Sequence, residues 1–170
     1  APEMGTRESL LLGFAMGYAH DGLSSRFYKK IRNERGLAYG LNCSRKEYNQ
    51  LLYIGTNVGT PDKKVDETID SVFECYSEYL KEGITQKQVD DKIKTLWFKE
   101  IRDNERSYDW IEQFDELYPE KYSLIGDFPD WFNYMKKVDA DEISQILRKY
   151  IKLDSFHLFV NGKESIKNYF

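Results

Sequence analysis

Apolar residues recur at helical spacing through most of the chain, and one central region alternates instead. Residues 9–19, SLLLGFAMGYA, are apolar on nearly every side, a pattern typical of a short buried helix. A second helix is predicted to begin at Ser24 or Ser25, to run to about Glu34 and to end at Gly36. Its inward residues would be Phe27 and Ile31.

The chain beyond Gly36 alternates with period two, as a half-buried strand does. A polar turn near residues 47–50 then leads into LLYIGTNV, so the two segments predict an antiparallel hairpin. In the first strand, Leu37, Tyr39, Leu41 and Cys43 would face one side, and Ala38, Gly40, Asn42 and Ser44 the other.

Helical periodicity returns after the hairpin. The segment TPDKKVDETIDSVFECYSEYLKEG has the clearest apolar stripe, and a capping box, Thr85-x-x-Gln88, begins another long helix. Further helices are predicted around residues 110–117 and after Asp139, while residues 127–138 show no clear pattern.

The segment SFHLFV, residues 155–160, is predicted as a last strand. The order of elements predicts an α+β fold of two layers, in which several helices pack on one face of a mostly antiparallel sheet. At this length we expect one domain over residues 1–170.

Composition narrows the classes of function. The 170 residues carry a net charge of −4, which argues against a general nucleic-acid binder, because phosphate neutralisation requires an excess of Lys and Arg. The basic run within residues 26–35 is instead interpreted as a solvated helix face. No window approaches the roughly 18 apolar residues of a membrane span. We therefore expect a soluble protein without nucleic-acid or membrane partners. The sequence does not identify its compartment, although the bacterial cytoplasm or periplasm is favoured.

The sequence lacks the motifs of the common hydrolases. The two histidines, His20 and His157, lie 137 positions apart, and neither belongs to an HExxH or HxxEH motif. There is no GxSxG nucleophile elbow and no GxxxxGK[ST] phosphate loop. We interpret His20 as a helix-end residue, His157 as lying on the less buried side of the last strand, and Cys43 and Cys75 as buried apolar residues. No metal site and no cofactor are predicted in this chain.

One pair of side chains could still form a site. Arg32 is predicted to face away from Phe27 and Ile31, and the chain then reverses at Gly36 into the strand that carries Tyr39. A guanidinium offers a fork of donors to carboxylate or carbonyl oxygens. A neutral phenol can donate to a developing oxyanion. These residues alone do not decide between a site and an ordinary helix–strand junction.

The segment LSSRFYKKIRNERGLAYG closely resembles the second homologous domain of the insulinase/pitrilysin family of zinc metallopeptidases, which includes the mitochondrial processing peptidases. The most specific part of the likeness is the block Arg-Gly-Leu-Ala-Tyr at residues 35–39. The likeness continues through IGTNVGTPDKKVDETIDSVFECYSEYLKEGITQKQVDDKIKTLW and into MKKVDADEISQILRKYI, and it covers about residues 9–162.

The resemblance implies a paired α+β domain that closes as a clamshell around unfolded peptide. Its partner, in the same chain or in a separate subunit, would carry HxxEH and the zinc, so zinc is expected there and not here. Arg32 and Tyr39 occupy the family positions that reach the substrate. Tyr39 would donate to the scissile carbonyl oxygen, and Arg32 would orient the substrate backbone or the tyrosine.

The sequence departs from the family pattern at its start, and the resemblance leaves one alternative function open. Domains of this family normally begin with one or two strands, and only APEMGTRE precedes the first helix here, so N-terminal strands could be cut away, supplied by another chain or lost. The alternative function is a scaffold or assembly protein that has kept the fold and lost proteolysis. The presence of HxxEH in the partner distinguishes the two.

Overall fold

The computed structural model describes residues 2, 6–23, 25–48, 51–103 and 128–162. Its regular elements are five α-helices, a π-helix, a short 3-10 turn and two strands within these ranges. In chain order they are α1 (Arg7–His20), the π-helix (Tyr28–Glu34), β1 (Gly40–Tyr48), β2 (Leu51–Gly59), the 3-10 turn (Asp62–Lys64), α2 (Val65–Glu82), α3 (Gln86–Asp103), α4 (Phe128–Met135) and α5 (Ala140–Tyr150).

Helix α1 forms the centre of the core. The Thr6 side chain caps its first turn by accepting a hydrogen bond from the Ser9 N–H at 3.3 Å. Nearly every apolar side chain of α1 is buried, as the pattern of residues 9–19 predicts. Helix α1 packs against α5 and β1, while α2 packs against the π-helix. The burial of α1 on several sides explains why its sequence has no polar face.

The two strands form an antiparallel hairpin in which Gly40 pairs with Gly59 and Tyr48 with Leu51. The alternation of side chains gives this small sheet two unlike faces. One face, with Leu41, Cys43, Ile54 and Val58, packs against the core of helices.

The predicted α+β class and the placement of helices on one sheet face are confirmed. The Thr85–Gln88 capping box is confirmed too: the Thr85 N–H donates to the Gln88 side chain at 2.8 Å and the Gln88 N–H to the Thr85 hydroxyl at 3.4 Å. The Asp139 side chain likewise caps α5 through the Asp141 N–H at 2.9 Å. The helix predicted around residues 110–117 lies outside the described residues.

The predicted strand at residues 155–160 is wrong, because this segment has no regular structure. A strand requires a neighbouring edge for its backbone N–H and C=O groups. Here the segment is held by a side chain instead, since the Phe156 ring packs on Phe73 and Tyr76 of α2 at centroid distances of 5.2 and 5.3 Å. His157 is exposed, on an irregular segment and not on a strand.

Candidate functional site

The basic segment after α1 folds as a π-helix rather than an ordinary α-helix. The Ser25 hydroxyl accepts from the Tyr28 N–H at 3.3 Å and so closes the turn that leads into it. Phe27 and Ile31 are fully buried, as predicted. In a π-helix the hydrogen bonds run from residue i to i+5, so side chains five positions apart lie on nearly the same side.

The wide turn brings Lys30 and Arg35 to the same carboxylate on α2. Lys30 Nζ lies 3.1 Å from Glu74 and 2.5 Å from Glu78, and Arg35 Nη2 lies 2.5 Å from Glu74. In an α-helix of 3.6 residues per turn, positions 30 and 35 would point to different sides. Arg35 Nη1 also donates to the buried Ser71 hydroxyl at 2.6 Å.

These ion pairs set the charge states of the groups involved. Hydrogen bonds from Lys30 and then Arg35 lower the pKa of Glu74. Burial tends to lower the pKa of Lys30, but the hydrogen bonds and charges of Glu78 and Glu74 raise it overall. Arg26 is paired as well, 2.7 Å from Glu82. Much of the basic run is therefore neutralised by α2, which supports the interpretation of a helix face over a nucleic-acid patch.

Arg32 differs from these paired residues. Its side chain is exposed, and its guanidinium carbon lies 4.8 Å from the centre of the Tyr28 ring. Within the described residues no carboxylate pairs with it. Arg32 therefore keeps its five N–H donors available while an aromatic ring supports one side of the guanidinium.

Gly36 ends the π-helix and turns the chain toward the hairpin. Its φ of +59° lies in the left-handed region that glycine adopts at low cost, and the Leu37 N–H closes the turn by donating to the Ile31 carbonyl at 2.9 Å. The Leu37 carbonyl accepts from the Thr60 hydroxyl at 2.6 Å, and Leu37 and Ala38 both enter the core.

Tyr39 follows at a bend and is 74% exposed. Its N–H donates to the Gly59 carbonyl at 2.8 Å, which fixes the backbone while the phenol remains free in solvent. The predicted alternation is thus wrong at residues 37–39: β1 begins at Gly40, and Tyr39 does not share the buried face of Leu41. The left-handed turn at Gly36 is the physical reason, because it sends Leu37 and Ala38 inward together.

The structure thus places Arg32 and Tyr39 on the exposed surface at either end of one short turn. Sequence reasoning missed Tyr28, which supports Arg32. The signal was present, since residues four apart on one helical face are neighbours.

The hairpin surface beside Tyr39 forms an open depression of about 370 Å³, which sequence reasoning also missed. Residues 40–42 and 57–59 line it. The Asn57 side-chain amide donates to Asn42 Oδ1 at 3.0 Å across the strands and so forms part of its wall.

His20 is the last residue of α1 and is 2% exposed, so the expectation of a helix-end residue is confirmed. Its Nδ1 lies 2.9 Å from the Met16 carbonyl and its Nε2 lies 2.7 Å from the Thr56 hydroxyl, which in turn lies 2.6 Å from the Tyr76 hydroxyl. Burial lowers the pKa of His20 to about 4. The neutral imidazole therefore joins α1, β2 and α2 and has a structural role.

Cys75 is buried as expected, and burial raises the pKa of its thiol to about 11, so the group is a protonated core residue at neutral pH. Cys43 is only partly buried. In the part of the chain that the structure describes, no three His, Cys, Asp or Glu side chains cluster in a way that could hold a metal ion. No helix in the same ranges is long and apolar enough to cross a membrane.

Comparison with known proteins agrees with this architecture. The family model described as the Peptidase M16 inactive domain matches residues 1–96, more than half of the chain. The chain therefore belongs to the Peptidase M16 inactive domain family, and the resemblance to insulinase-type metallopeptidases is confirmed. No curated protein matches the chain.

Solved structures show the same fold. A peptidase M16 inactive domain from Pseudomonas fluorescens superposes with a TM-score of 0.71 at 20% identity, covering 88% of this chain and 36% of the other. A protease from Helicobacter pylori superposes with a TM-score of 0.69 at 18% identity, covering 89% of this chain and 37% of the other. A conserved protein from Enterococcus faecalis V583 superposes with a TM-score of 0.65 at 17% identity, covering 86% of this chain and 34% of the other. The chain thus spans about a third of the length of each of these structures.

Proposed function

We propose that this chain is the non-catalytic half of a zinc metalloendopeptidase, and that it closes over unfolded peptide beside a homologous domain that carries HxxEH. Membership of the inactive-domain family supports the pairing. Zinc in that partner would supply the activated water and polarise the scissile carbonyl. This chain would supply hydrogen-bond donors.

The observation that carries the proposal is the state of Arg32. The basic residues Arg26, Lys30 and Arg35 of the same segment are paired with carboxylates of α2, whereas Arg32 is exposed and stacked on Tyr28. A guanidinium left without a carboxylate can bind the carbonyl oxygens of an extended peptide in a fixed orientation. Arg32 therefore acts as the substrate-orienting group.

Tyr39 acts as the donor to the scissile carbonyl oxygen. Its backbone is held by Gly59, and its phenol is exposed with no hydrogen bond to the described part of the chain. Such a phenol is free to donate to an oxygen that gains negative charge. A donor placed at an oxyanion is worth roughly 2–4 kcal/mol in the transition state.

The first test is native purification of the assembly that contains this chain, with mass spectrometry of the attached or co-eluting domain and a zinc measurement. A partner with HxxEH and about one zinc per pair is expected. A partner without the motif and without zinc would overturn the peptidase function in favour of an assembly role.

The role of Tyr39 is tested in the same assembly by Tyr39→Phe. This change removes only the hydroxyl, so we expect kcat for an unstructured peptide to fall more than about tenfold, with the thermal unfolding temperature unchanged. An unchanged kcat would overturn the assigned role of Tyr39.

A further inference from the structure

Two glycines lie directly opposite one another at the open end of the hairpin. Gly40 begins β1 and Gly59 ends β2, and the two are partners in the register. Glycine brings no side chain to pack and loses more backbone freedom on folding than other residues do. Such a pair therefore requires a reason.

The chain itself provides none. Neither glycine has a positive φ, so the backbone conformation suits any residue. A Cβ built on Gly40 meets no atom within 4 Å, and one built on Gly59 meets only the Gly40 nitrogen at 4.0 Å. The domain therefore has room for a Cβ at both positions.

The surface around the pair is polar but uncharged. On the side of the hairpin that faces away from the core, the register aligns Gly40 with Gly59, Asn42 with Asn57 and Ser44 with Gly55. Both asparagines are exposed, and the hydrogen bond between them uses one donor and one acceptor of their two amide groups. The Tyr53 ring lies against Gly55 and covers that end, so the bare backbone is confined to the end beside Tyr39.

We propose that this surface, the paired glycines with the Asn42 and Asn57 amides, is a docking site for the backbone of an extended peptide substrate. A bare strand backbone is where another backbone can approach closely. Amide side chains match the alternating N–H and C=O groups of such a chain, and the absence of charged side chains from this surface fits recognition of the peptide backbone over its sequence. The proposal rests on the proposed function, in which the scissile bond of the peptide lies at Tyr39. The part of the peptide next to that bond would then lie on this surface.

The test uses Gly40→Ala, Gly59→Ala and Gly59→Val in the full assembly. The control is Gly162→Ala, the same change at an exposed glycine where a Cβ also meets nothing within 4 Å. The dissociation constant of a fluorescein-labelled unstructured peptide is measured by anisotropy with a chelator present, so that cleavage does not occur. Assembly with the partner is measured by gel filtration, and stability by thermal unfolding.

We expect each hairpin variant to weaken peptide binding about tenfold or more, Gly59→Val the most, while assembly and thermal stability are unchanged or higher. Peptide binding equal to that of Gly162→Ala would overturn the docking site. Loss of assembly with the partner would overturn it as well, because the partner domain would then cover this face. The outcome for Tyr39→Phe is separate. If kcat is unchanged in Tyr39→Phe while the hairpin variants still weaken peptide binding, the proposed role of Tyr39 is overturned and the docking site is retained.

Discussion

At the scale of single residues, the stacking of Arg32 on Tyr28 bears on the substrate-orienting role that we propose for the guanidinium. A long exposed arginine loses considerable rotamer freedom when it binds, and a ring 4.8 Å beneath it removes part of that cost in advance. Tyr28 is partly buried and its backbone N–H donates to the Ser25 hydroxyl, so it is the fixed member of the pair. In the proposed function Tyr28 would act through Arg32, as a positioning residue.

We predict that Tyr28→Leu raises KM for an unstructured peptide about two- to fivefold with kcat nearly unchanged. An exposed cation–π contact contributes about 0.5–1 kcal/mol, which corresponds to a change of this size. Tyr28→Phe keeps the ring and should restore the wild-type KM. Arg32→Ala is the control, and Tyr28→Leu should have no effect in that background. Equal losses in Tyr28→Phe and Tyr28→Leu would contradict the role of the ring.

At the scale of elements, the π-helix and its terminating glycine decide where Tyr39 points. A turn of i to i+5 bonds aligns Lys30 and Arg35 on Glu74, and Gly36 then reverses the chain so that Leu37 and Ala38 enter the core. Lys64 Nζ donates to the Gly36 carbonyl at 3.2 Å and holds the turn from the other side. Because Leu37 and Ala38 enter the core after this turn, the Tyr39 side chain is left exposed.

We predict that Gly36→Ala destabilises the protein by about 1 kcal/mol and that Gly36→Asn costs less. A Cβ at Gly36 meets no atom within 4 Å, so the cost comes only from its φ of +59°. Urea unfolding monitored by circular dichroism gives the values. Gly162→Ala, where φ is not positive and space is open, is the matched control. An equal cost for Ala and Asn would show that backbone conformation is not the cause.

The same elements show how far the sequence could be interpreted. The caps at Thr85 and Asp139 are local signals, and the structure confirms them, whereas Ile101, predicted to face inward on the helix after Thr85, is exposed. The π-turn was not predictable, because it depends on where Glu74 lies on a helix about forty positions later. The strand at residues 155–160 was predicted from alternation alone, which does not reveal whether an edge is present to pair with it.

At the scale of the whole molecule, one buried polar network joins three elements beneath the hairpin. Thr56 of β2 lies between His20 of α1 and Tyr76 of α2, and the rings of His20 and Phe27 lie 4.2 Å apart. Every polar atom in this chain of contacts has a partner when His20 is neutral. Protonation would place a charge where burial disfavours it and would give Nε2 a proton to donate to Thr56. Stability should therefore depend on pH through this residue.

We predict that His20 makes the free energy of unfolding fall as the pH decreases from 6.5 toward 4. Burial lowers the pKa of His20 from 6.5 to about 4, so the unfolded chain binds a proton in this window while the folded chain does not. The contribution of neutral His20 to stability is fully present above the pKa of the unfolded chain, 6.5. The difference between the unfolded and folded pKa values corresponds to about 3 kcal/mol of stability lost by pH 4. Urea unfolding at a series of pH values measures the slope.

Comparison with variants assigns that slope to one group. His20→Asn should be less stable at neutral pH, because it disrupts the contacts with Met16 and Thr56. Its loss of stability between pH 6.5 and 4 should be smaller than that of the wild type by about the amount due to the binding of one proton. His157→Gln removes an exposed imidazole and is the matched control, with the wild-type slope expected. A slope that persists in His20→Asn would mean that carboxylates such as Glu74, whose pKa is lowered by Lys30 and Arg35, govern acid unfolding instead.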